Sequence, residues 1–199
     1  SLEVATMLQM DQTAVLQMLI SGDSLRLSAL KAVAALHLPD CWIAAGFVRD
    51  AVWDHLHGYD VAEPAGDVDV IWFDAASPQA IVDRRIEQQL RSEMPTLRWS
   101  VKNQARMHLR NGDTPYTSVA DAMRHWPETA TAVAARLRLM DSIEVGAPYG
   151  LHDLFALRLR PTPRFLTDKL PVFMGRVSSK RWIDRYPMLS LELAAIGRS

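Results

Sequence analysis

With one cysteine, Cys41, in 199 residues, the chain has no means of closing an internal disulfide. It also lacks any Cys/His cluster at the spacing of a zinc site. A reducing compartment fits best, so a cytoplasmic location is expected. Cys41 precedes an apolar run and reads as a small buried hydrophobe. No apolar run approaches the roughly 20 residues that a membrane-spanning helix needs. A basic segment followed by an apolar one is missing from the N-terminus, so no signal peptide is expected. An excess of one charge is missing too. Lys and Arg number 22 against 23 Asp and Glu, a formal net charge of −1. That balance gives no general pull toward nucleic acid or an anionic membrane, although a local basic patch is compatible with it. Repeats and low-complexity tracts are absent.

What remains is an ordinary globular composition, 49% hydrophobic, in a length that buries a real core. Apolar spacing predicts a helix over 3–20 and a second over 24–37, with "SGDS" at 21–24 as break and cap. "CWIAA" (41–45) reads as a short buried strand, and 48–57 as a helix after Gly46. A polar loop over 58–66 leads to a strand over 67–73. Pro78 starts a helix reaching about Leu90, with Asp83 and Glu87 on its wet face. "LRWSVKNQARMHLR" after Pro95 alternates and reads as one strand. A short helix over 118–126 ends at Pro127. Alternation on both sides of Met140-Asp141-Ser142 predicts a hairpin. A short helix around 149–159, a rigid break at 161–163 and a basic helix over 170–186 complete the chain. Helices flanking short strands imply an α/β fold with a mixed sheet, in one domain. Residues 1–38 form an N-terminal helical pair, 40–160 the core and 161–199 a helical extension.

The stretch "GDVDVIWFD" (66–74) poses the chemical question, because two carboxylates open a core strand. Residues two apart in a strand point to the same face, so Asp67 and Asp69 project together, roughly 7 Å apart at Cα. Carboxylates that close repel each other, and a cation relieves the repulsion. Mg²⁺ takes a few carboxylates, waters and substrate phosphates. The plainer alternative is that Asp67 caps the loop and Asp69 meets a surface arginine. A haloacid-dehalogenase-type site has its apolar run before the D-x-D pair. Here the run follows, which argues against a phosphatase.

Upstream, "AAGFVRDAVWDHLHG" (44–58) places a strand, a glycine and a helix in sequence. Free N–H groups at a helix start hold phosphate, and Gly46, without Cβ, permits close approach. Arg49 in the first turn is placed to reach phosphate, with Asp50 orienting it; the alternative is a tight turn with an Arg–Asp surface pair. Gly46-Phe47-Val48-Arg49-Asp50 followed by Asp67-Val68-Asp69-Val70 resembles the core of the polymerase-β-type nucleotidyltransferases, in the style of CCA-adding and poly(A) polymerases. Val52-Trp53, Leu56-His57-Gly58, Lys102 to His108, Trp126 to Thr131 and Ala147 to Phe155 resemble, more closely, a small bacterial nucleotidyltransferase-like family once described as a domain of unknown function. The likeness covers about residues 40–190.

The resemblance implies a nucleotidyltransferase-like core. It implies Mg²⁺, with Mn²⁺ as a substitute, held by Asp67 and Asp69, and a nucleoside triphosphate held by Gly46, Phe47 and Arg49. The acceptor is a small molecule, a protein or RNA. Phe47 is read as filling the second position of a pair that is small in the superfamily. A third carboxylate is expected on a later strand, yet "LRWSVKN" (97–103) has none. Lys102, Gln104 and Arg106, alternating to one strand face, suit a triphosphate or a base edge, or else form a solvated face. Asn103 is a buried amide or a substrate ligand. The basic run Arg176, Lys180, Arg181 and Arg185 is a solvated face or a phosphate-receiving one. Loss of turnover on an inherited fold is the alternative to an enzyme.

Overall fold

The computed structural model describes residues 2–196, with side chains from residue 12 onward. Helix α1 (Leu2–Ser21) and helix α2 (Ser24–Ala34) form the expected N-terminal pair. Asp23 caps α2, accepting from the N–H groups of Leu25 and Arg26, which satisfies two of the donors that a helix start leaves unpaired. Strand β1 (Trp42–Ala44), helix α3 (Gly46–Leu56), strand β2 (Val68–Trp72), helix α4 (Ala80–Glu93) and strand β3 (Trp99–Asn103) follow. Next come helices α5 (Met107–Asn111) and α6 (Val119–Met123), and the hairpin of β4 (Ala134–Leu137) and β5 (Ile143–Gly146). Helix α7 (His152–Phe155), strand β6 (Arg158–Leu159), helices α8 (Leu170–Ser179) and α9 (Trp182–Arg185) and strand β7 (Ser190–Leu191) complete the order.

The five-stranded sheet runs β3-β2-β1-β4-β5, with β2 and β3 parallel and the other neighbours antiparallel. It is mixed and helix-flanked, as expected. Alternation divides its side chains between two faces. Ile43, Val68, Val70, Trp72, Trp99 and Val101 face the larger core. There they meet Leu16 and Ile20 of α1, Leu30 and Val33 of α2, Val48 and Val52 of α3, and Leu90 of α4. Burying a side chain such as Leu90 completely contributes about 2 kcal/mol. The opposite face carries Trp42, Ala44, Ile71 and Ala134, covered in part by Val119 and Met123. The uncovered part of that face is where Asp69 stands.

Four local expectations are corrected. Asp83 does not face water: it is 2% exposed and accepts from Trp72 Nε1 at 2.7 Å and from the Asn103 N–H at 2.9 Å. Glu87 likewise accepts the Val101 N–H at 3.0 Å, so α4 grips β3 through two carboxylates. The strand expected through His108 stops at Asn103, and residues 104–106 form a 3₁₀ turn leading into α5. Finally, the basic helix over 170–186 divides between α8 and α9, because Arg181 takes a left-handed φ of 53°. A short parallel pair, β6 with β7, lies in a stretch read as helix and tail.

Candidate active site

The site is assembled where β1 turns into α3. Ala45 makes the turn at φ 60° and ψ −128°, a conformation that costs a residue with a Cβ on the order of 1–3 kcal/mol. Its own N–H donates to Val133 O at 2.9 Å, and its carbonyl accepts from the N–H groups of Val48 and Arg49. Helix α3 therefore begins at Gly46, and no side chain caps it. The first-turn N–H groups of Gly46 and Phe47 have no carbonyl to reach within the helix. They border a cleft of about 640 Å³. A Cβ on Gly46 would stand 3.1 Å from Arg49 Nη2 and 3.5 Å from Asp50 Oδ2, so glycine leaves room for Arg49 to fold back over the helix start. The small pair at that start is Ala45 with Gly46. Phe47 is 1% exposed and its ring belongs to the larger core, so it does not occupy the small position assigned to it from sequence.

Asp69 stands in β2 opposite Ala44 on one side and Ser100 on the other. Burial pushes its carboxyl up to about 6, reinforced by Asp67 and opposed by Lys102, Arg49 and Lys180. Asp67 precedes the strand and is exposed; Arg98 Nη2 lies 3.2 Å from its carboxylate. Both carboxylates border the cleft. Ser100 occupies the β3 position beside Asp69, and its hydroxyl accepts from Lys102 Nζ at 2.9 Å. Among the described residues no three His, Cys, Asp or Glu side chains form a metal-holding group. The pair present still suits Mg²⁺. One carboxylate is desolvated and, among the described residues, in no ion pair, the other is open to water, and the remaining coordination positions are those that Mg²⁺ fills with water and phosphate oxygen.

Cations converge from several elements. Arg49 is 7% exposed. It donates to Asp50 at 3.0 Å and to Thr131 Oγ1 at 2.9 Å, and lies 5.0 Å and 4.7 Å from the Trp53 and Trp182 ring centres. Its guanidinium is thus oriented before any ligand arrives. Lys102 comes from β3. Arg176 of α8, with Lys180 just beyond it, forms the facing wall together with Trp182. Arg176 holds the fully buried Glu128 through two hydrogen bonds, of 2.7 and 3.3 Å.

Of the residues proposed from sequence, Gly46, Phe47, Arg49, Asp67, Asp69, Lys102 and Gln104 border the cleft. Asn103 and Arg106 do not. The Asn103 amide is spent on structure. Its oxygen accepts from the N–H groups of Asp74 and Ala105, and its nitrogen donates to the carbonyls of Asp74 and Ser77. Those bonds end the strand, which breaks the alternation that placed Lys102, Gln104 and Arg106 on one face. Arg106 instead pairs with Asp83. Sequence reasoning gave no site role to Thr131, Lys169 or Arg110, which also border the cleft; Thr131 closes the Trp126 to Thr131 motif, and no local pattern marks the other two. The basic run signalled Arg176 and Lys180, but its other half turns away. Arg181 pairs with Asp184 in the open, and Arg185 approaches Asp54.

A family model described as nucleotidyltransferase matches residues 31–191. No curated protein matches the sequence. Among solved structures, an NMR structure described as revealing a CCA-adding enzyme head domain is 33% identical, with a TM-score of 0.80, over 89% of this chain and 94% of that one. A CCA-adding enzyme in complex with CTP is 15% identical, with a TM-score of 0.56, over 87% of this chain and 42% of that one. An apo tRNA-processing enzyme, 19% identical with a TM-score of 0.51, aligns over 83% and 42%. These two share the fold, and this chain spans less than half of their length. Fold, cleft and family model agree, and the chain belongs to the nucleotidyltransferases.

Proposed function

We propose that the protein transfers a nucleotidyl group from a nucleoside triphosphate to an acceptor hydroxyl, with a divalent ion. The observation that carries this reading is the meeting, in one cleft, of Asp67 and Asp69 with the uncapped start of α3. The helix start offers N–H groups to phosphate oxygens. Arg49, Lys102, Arg176 and Lys180 offset the triphosphate charge from two sides. Asp67 and Asp69 would hold Mg²⁺, or Mn²⁺ in its place, which when bound neutralises charge on the transferring phosphate. Catalysis then rests on positioning and electrostatics. The fixed Arg49 and the desolvated Asp69 suit that task, because neither has to reorganise during transfer. The CTP bound in the structurally related CCA-adding enzyme supports a triphosphate as ligand.

A second reading has its own observation. Ser100 stands beside Asp69 where a third carboxylate would complete the metal site. A nucleotide-binding module with impaired turnover would have this arrangement. Calorimetric titration of ATP, CTP, GTP and UTP, with Mg²⁺ and with EDTA, tests the shared part. Tight binding that needs Mg²⁺ and is lost in Asp67→Asn/Asp69→Asn supports the site, and pyrophosphate release with candidate acceptors then separates enzyme from binder. No binding under either condition overturns both readings.

A further inference from the structure

Arg26 of α2 is 0% exposed, and a buried guanidinium needs partners; Nη2 has none among the described residues, so Nε and Nη1 carry its bonds. Its Nε donates to Phe47 O at 2.7 Å, at the start of α3. Its Nη1 donates to Ala62 O at 2.8 Å, in the loop between α3 and β2, and to Asp23 at 2.6 Å. The N–H of the same Ala62 donates to Asp54 Oδ2 at 3.0 Å. Asp54 is 2% exposed, and its other oxygen accepts from Tyr186 OH at 2.7 Å. Two buried charged side chains therefore hold one loop residue by both its backbone groups. Among the described residues, no other position from Asp60 to Gly66 makes a hydrogen bond to the rest of the protein. Phe47 and Pro64 to Asp67 are walls of the same cleft. Arg26 joins those walls from behind, and the loop it fixes delivers Asp67.

We infer that Arg26 and Asp54 are positioning residues for the metal site, setting the distance between the phosphate-holding helix start and Asp67. This rests on the reading that Asp67 and Asp69 hold the ion. Neither residue borders the cleft. Residues behind metal ligands typically change metal affinity by about 10–100-fold when altered. Lysine at position 26 keeps the charge, but a single ammonium lacks the planar fork that spans two carbonyls.

The test compares ATP affinity by calorimetry in Mg²⁺ and in EDTA, for wild type, Arg26→Lys and Asp54→Asn, with thermal unfolding recorded for each. The expected result is a Mg²⁺-to-EDTA affinity ratio reduced about tenfold in both variants, with affinity in EDTA changed little. A purely structural role would lower the melting temperature and leave that ratio intact; such a result in a folded variant overturns the inference. Should Arg26→Lys fail to fold, Asp54→Asn decides alone. A wild type without Mg²⁺-dependent ATP binding sinks the parent reading and the clamp with it. A wild-type ratio that both variants share sinks the clamp alone.

Discussion

The two faces of the sheet are built from the same strands and obey opposite rules. On one face Val68, Val70 and Trp72 meet four helices and exclude water. On the other, one residue along, Asp69 carries a carboxyl that burial pushes up to about 6. The packed face collects favourable burial. The cleft face keeps a poorly compensated carboxylate, a backbone turn at positive φ in Ala45 and a helix start without a side-chain cap. Costs of this kind concentrate where a ligand will relieve them. The difference separates residues that hold the fold from residues whose cost the packing does not offset.

The largest losses should come from the packed face. Val70→Asp puts an unpaired charge among apolar side chains and should cost about 4 kcal/mol or more; urea unfolding would show it, or the variant will not fold. Leu90→Ala, at a fully buried site, should cost about 2–5 kcal/mol with ATP affinity unchanged. The cleft face should answer in the opposite sense. Between the ordinary 3.8 of an Asp and about 6, the unfolded chain binds fewer protons at this group than the folded one. The cost of charging Asp69 therefore grows as pH rises through that window and is complete above it. Without metal, Asp69→Asn should stabilise the protein by about 1–3 kcal/mol at pH 8 and by nothing below about pH 3. The same change should abolish Mg²⁺-dependent binding.

Smaller effects sharpen the line between the faces. Gly46→Ala brings a Cβ to 3.1 Å from Arg49 Nη2, and Arg49, held by two indoles, has little room to yield. Stability should change by less than about 1 kcal/mol, while ATP affinity falls by about tenfold through lost phosphate approach. Cys41 lies against the packed side, and burial pushes its thiol up to about 12. Iodoacetamide at pH 8 should label it slowly until denaturant is added, since the thiolate is the reactive form.

Much of this division was legible in the sequence. Alternation in "DVDVIW" places Asp69 opposite in sense to Val68 and Val70, and the glycine before "FVRD" marks the helix start. The helical pair and the hairpin around Met140 also follow from period alone. What stayed hidden depends on contacts distant in sequence. "VKNQARMH" has a strand's period, yet Asn103 bonds Asp74 and Ser77 and turns the chain into α5. Phe47 reads as a neighbour of phosphate until the packing of α3 turns its ring into the core. Asp83 looks like a wet-face residue until Trp72 and Asn103 reach it. The division of the basic run depends on one left-handed residue, Arg181, whose type gives no warning.

The most direct measurement of the difference between the faces is a ¹⁵N–¹H spectrum of the protein with ATP and substoichiometric Mn²⁺. Paramagnetic broadening should remove the signals of Gly46, Asp67, Asp69 and Ser100 first, and leave those of Leu30 and Leu90 sharp. Uniform broadening, or loss centred on any other surface, would contradict the assignment of the cleft face to a metal-bound triphosphate.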